Sequence, residues 1–181
     1  MSSAPGFFRG FGAGVALPAN PSNDELARVM TEAFKNAVNV RPPAYLEMPA
    51  DGIPFNEVNY VNLPAIGAEV AIVSFMVSPG MHGVIKWIGN NFVGAGFTDG
   101  SGSIIWQITI DGQPVRNHQR IIGSLGSPAS PSETAPIRLF ENTTVELNVT
   151  NVSIAVAGQL CGGRLSGWLY AMEDDGPDVW G

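Results

Sequence analysis

The stretch Ile104–Val115, IIWQITIDGQPV, constrains this chain most. Ile104, Trp106, Ile108 and Ile110 fall on one parity, and Gln107, Thr109 and Asp111 on the other. A period of two places the first set on the buried face of a β-strand. Asp111-Gly112 then supplies a pair of residues that tolerate the positive φ angles of a type I′ hairpin turn. The same grammar recurs through the rest of the chain. Val145, Leu147 and Val149 alternate with Thr144, Glu146, Asn148 and Thr150, and Leu165, Gly167 and Leu169 alternate with Ser166, Trp168 and Tyr170. Beyond residue 151 the apolar parity reverses to Val152, Ile154 and Val156, so a turn or bulge is predicted near Thr150 and Asn151.

Further strands are predicted at Tyr45, Val58–Leu63, Glu69–Val77, Met81–Gly89 and Arg120–Ile122. EVAIVSFMV is apolar on both parities and predicts a central strand covered on both faces. Ser78-Pro79-Gly80 reads as a hairpin turn to the next strand. The Ser/Pro-rich run from Gly123 to Pro136 has little to bury and reads as a surface excursion.

One segment departs from this pattern. Ser22 with Glu25 three residues later forms a capping box, and Leu26, Val29, Met30, Ala33, Phe34, Ala37 and Val38 make one apolar helical stripe. Pro42 and Pro43 stop that helix. The expected organisation is an extended arm over 1–21, an amphipathic helix over 22–40, a β-sandwich over 41–172 and an acidic tail over 173–181. With 22 Gly and 14 Pro among 181 residues, the fold class is all-β, a β-sandwich of jelly-roll type, with an immunoglobulin-like sandwich as the alternative.

Little in the sequence points to chemistry. The net charge of −7 and the scattered two Lys and seven Arg argue against a nucleic-acid surface. Cys161 has no partner for an intramolecular disulfide, no apolar run is long enough to span a bilayer, and the first residues lack the pattern of a secretory signal. The chain is therefore read as soluble. His82 and His118 sit in no metal-binding spacing, and no nucleophile elbow or dinucleotide fingerprint occurs. The expectation is a non-enzyme with no catalytic, cofactor-binding or metal site. Two groups of aromatics are candidates for contact. Phe7, Phe8 and Phe11 in the Gly-rich arm would dock on a neighbouring subunit, and Trp87 and Trp168 would face a ligand such as a sugar, whereas Trp106 shares parity with isoleucines and reads as core. The sequons at Asn142, Asn148 and Asn151 read as by-products of strand alternation and a turn.

An aromatic Gly-rich arm, one amphipathic helix and an acidic sandwich, with strands such as WQITIDGQPV and IRLFENTTVELNVTN, together resemble the accessory virion structural proteins of tailed bacteriophages, in particular capsid decoration or cement proteins of jelly-roll type. The resemblance implies a homotrimer in the virion, contacts with capsid or other virion proteins through the arm, no nucleic-acid or membrane partner, and no catalysis. The rival expectation is a receptor- or carbohydrate-binding β-sandwich module.

Overall fold

In the computed structural model, residue 22 and residues 44–155 and 159–172 are described. The arm with Phe7, Phe8 and Phe11, the body of the predicted helix and the acidic tail lie outside the described residues. The described part is all-β. Its strands are β1 (Ile53–Asn62), β2 (Glu69–Met76), β3 (Met81–Val93), β4 (Ile104–Ile110), β5 (Gln113–Pro114), β6 (Gly126–Ser127), β7 (Ser130–Leu139), β8 (Thr144–Asn151) and β9 (Leu160–Ala171). They form two antiparallel sheets, ordered β1-β9-β3-β7-β6 and β2-β8-β4-β5.

The inward parity of both sheets meets in one apolar core, which gives the fold its sandwich character. Ile104, Trp106, Ile108, Val145, Leu147 and Val149 of the smaller sheet share this cluster with Ile85, Ile88, Ile137, Leu139, Cys161 and Leu165 of the larger one. The apolar parity of β4 and β8 is buried as expected, whereas Thr109 and Asn148, on the parity expected to face outward, are buried as well. Asp111 and Gly112 have φ of 51° and 72°, the two positive values that the β4–β5 hairpin requires.

Four local expectations change. β2 is an edge strand, and its two-sided apolar pattern arises from a bulge: Ala71 pairs with Asn148 and Val73 with Leu147, leaving Ile72 as an extra residue. Ile72 and Val73 therefore both enter the core, while Ser74 and Met76 stay exposed. Ser78–Gly80 is a turn, with Met81 N donating to Ser78 O, but it carries the chain from one sheet to the other and closes no hairpin. Tyr45 lies in a turn.

The Ser/Pro-rich segment, finally, enters the larger sheet as β6 and β7. Its tip folds back over the sheet and buries Pro128. Glycines make this approach feasible: a Cβ on Gly89 would stand 2.6 Å from Ser127 O, and one on Gly162 would stand 3.0 Å from Pro128 Cγ.

Candidate functional site

The outer face of the larger sheet gathers most of the side chains capable of recognition. β9 directs Arg164, Ser166, Trp168 and Tyr170 to this face, because its inward set is Cys161, Gly163, Leu165 and Gly167. β3 would not follow the same rule without an irregularity. Its register shifts between Ile85 and Trp87, with Ile85 opposite Gly167 and Trp87 opposite Ser166, so Lys86 is the extra residue. Strict alternation would turn Trp87 inward. The bulge turns it outward, next to Arg164 and Ser166.

The two tryptophans singled out in the sequence occupy different environments. Trp87 is 36% exposed, and its ring meets that of Trp168 edge-on, with centroids 6.2 Å apart. Trp168 is only 4% exposed; it packs with Ala44, Val84 and Tyr170, and its indole N–H donates to Ala44 O at 2.6 Å. Trp168 is therefore a support for Trp87, and its expected role as a ligand-facing aromatic does not hold. A hydrogen-bond partner offsets the cost of burying an indole N–H, and the turn at Ala44 supplies the carbonyl.

Beside Trp87 lies an open groove of about 530 Å³, lined also by Pro54, Asn56, Pro131, Arg164 and Ser166. Arg164 is held there by a 2.9 Å hydrogen bond from its Nη1 to Pro128 O. Lys86 pairs with Glu133 at 2.7 Å; Glu133 is largely exposed, so this ion pair adds little stability. A flat aromatic flanked by a guanidinium, an amide and a hydroxyl can stack on and hydrogen-bond to a polar ligand. Further along the same face, the Arg138 guanidinium lies 4.7 Å from the Tyr45 ring centroid and 5.6 Å from that of Phe140, and His82 stands edge-on to Phe140 and Tyr170. A second cavity, about 440 Å³, is lined by Leu63–Ile66, Asn151, Ile154 and Ala155, and the Asn151 amide is already engaged within the fold.

Cys161, His118, Glu141 and Glu146 are buried or hydrogen-bonded within the fold. Burial pushes the Cys161 thiol up to about 11, which keeps it protonated and poorly nucleophilic. Burial lowers the pKa of His118, whose Nε2 lies 3.0 Å from Thr134 Oγ1. Glu141 accepts from Gly80 N at 2.7 Å, and Glu146 accepts from Thr109 Oγ1 at 3.3 Å. Among the described residues, no group of three or more His, Cys, Asp or Glu could hold a metal ion. No helix among them is long and apolar enough to cross a membrane.

Asn56, Arg164 and Ser166 were not foreseen. Their only sequence signal is their strand parity, and they become neighbours of Trp87 through the pairing of β1 and β3 with β9. No protein-family model matches the chain, and no curated protein matches it.

Proposed function

We propose that the chain is a non-catalytic virion structural protein, a capsid decoration or cement subunit of jelly-roll type. In this reading it assembles as a homotrimer and reaches the shell or a neighbouring subunit through residues 1–21. The observation that supports it is the order of strand pairing. With β6 set aside, the eight remaining strands pair first with last and inward from there: β1 with β9, β2 with β8, β3 with β7, and β4 with β5. Doubling such a nested hairpin over itself produces the two sheets of a jelly roll, an architecture used by capsid proteins and by lectins. Fold alone does not separate these uses.

The distribution of exposed apolar side chains favours assembly. Ile53, Met76, Val93 and Leu160 are all exposed on strands. Surface of this kind suits broad protein contact. Light scattering on the purified chain, with co-sedimentation on emptied phage capsids, tests the reading. The expected result is a particle whose mass is a multiple of three chains and that pellets with shells. A monomer that stays in the supernatant would refute it.

The groove beside Trp87 favours a second reading, a saccharide-binding module, since an indole face packs on the C–H face of a pyranose. A glycan array gives signal on this reading, and Trp87→Ala abolishes it while the circular dichroism spectrum shows the chain still folded. A blank array at high protein concentration ends it.

A further inference from the structure

A strand with a free edge is a template for another strand, and folded chains usually block such edges. Among the described residues, three of the four sheet edges are blocked. β5 is two residues long and contains Pro114; β6 is two residues long and pairs only with Ser130 and Pro131, and the rest of that edge, on β7, carries Glu133, Pro136 and Arg138. β2 carries the bulge at Ile72, whose carbonyl oxygen already accepts a 2.9 Å hydrogen bond from Asn59 Nδ2. β1 is different. Its ten residues run in unbroken register with β9, from Ile53 opposite Leu169 to Asn62 opposite Leu160, and among the described residues β9 is its one sheet neighbour. It has no Lys or Arg, a single charged residue in Glu57, and its one proline at the second position. From Asn56 to Tyr60 both faces of the strand are exposed, with Val58 at 44% and Tyr60 at 47%.

We propose that β1 is a self-association edge, at which two copies of the chain pair β1 to β1, antiparallel, about a two-fold axis through Asn59. The sequence of the strand selects both the partner and the register. A two-fold axis perpendicular to the sheet leaves each face on its own side, so residues of equal parity meet and the axis passes through a residue. An axis on Glu57 would set two carboxylates opposite each other, and one on Val58 would set Asn56 against Tyr60. An axis on Asn59 sets Val58 against Tyr60 twice, Asn56 against Asn62, and Glu57 against Val61, while Pro54 falls outside the paired segment 56–62. Aromatic and β-branched pairs of this kind favour strand association. The contact is almost uncharged, which suits two copies that each carry a net charge of −7. This pairing is separate from the virion reading: it joins copies wherever the chain works, and it would link trimers in twos.

Light scattering of the full chain, wild type against Val58→Lys with Tyr60→Lys, tests it. The wild-type mass is expected to be an even multiple of the chain and to halve in the variant, with an unchanged circular dichroism spectrum because both side chains are exposed. Halving to a monomer keeps the pairing and removes the trimer; halving from six chains to three keeps both. A monomeric wild type, or a mass that the variant leaves unchanged, overturns the pairing. In a second arm, Val58→Cys with Tyr60→Cys is oxidised and run on a non-reducing gel. A covalent dimer supports the register, since directly opposed strand residues lie within disulfide reach and Cys161 is buried. Folded protein without that dimer overturns the register.

Discussion

Replacing Asn151 by alanine should remove the anchor that ends β8 and returns the following residues to the core. Asn151 is 1% exposed, and its side chain makes three hydrogen bonds, each 2.8 Å long: Nδ2 donates to Pro64 O and to Ile154 O, and Oδ1 accepts from Ile154 N. At roughly 1 kcal/mol net per hydrogen bond the loss is about 3 kcal/mol, and alanine leaves the three backbone groups without the partner they had. With a urea slope of about 2 kcal/mol per molar, the unfolding midpoint should fall by roughly 1.5 M at constant slope. Asn142→Ala is the contrast. Asn142 is exposed and has φ 59°, so alanine there should cost only about 1 kcal/mol through backbone strain. A midpoint shift below about 0.5 M for Asn151→Ala, at unchanged slope, would refute the reasoning. The same geometry settles how the three sequons differ. The Asn151 amide nitrogen is committed inside the fold, and the Asn148 amide nitrogen, also buried, donates to Thr109 Oγ1 at 3.1 Å.

Gly167→Ala should be among the most damaging small changes, because the new methyl would overlap the Val84 carbonyl oxygen, a backbone atom held in β3; a loss of about 3 kcal/mol, seen as a melting temperature lower by roughly 10 °C, is expected. Native Cys161 should resist a thiol reagent at pH 8 and react once urea unfolds the chain, and stability should fall above pH 9.0, where the unfolded thiol ionises and the folded one, at about 11, does not. His118 is held neutral by burial, so the unfolded chain binds its proton first: stability should drop as pH falls below 6.5, and His118→Gln should remove that slope from pH-dependent urea titrations.

Strands with one buried face were legible because burial imposes a period of two on the residues themselves. The apolar sets of β4 and β8 could be read this way, as could the Asp111–Gly112 turn, whose backbone demand is local, whereas β9 is buried on both faces. β2 and β3 were harder, since a bulge breaks the parity rule from which the reading starts. The hydrophobic double parity of β2 looked like two-sided coverage, yet it came from one inserted residue at an edge. The Ser/Pro-rich run misled for a different reason: its strands are held by backbone hydrogen bonds and by space above glycines, neither of which leaves an apolar pattern. For the candidate site, Trp87 was visible as an aromatic, but the face it occupies depends on the bulge at Lys86.

The sequence by itself therefore determined the all-β class and the main buried parities, because hydrophobic period, turn chemistry and composition act over a few residues. Tertiary structure decided which strands lie at edges, which tryptophan reaches the surface, and which polar groups stand beside it. Those properties depend on register between strands as far apart as β1 and β9, fixed only when the whole core closes.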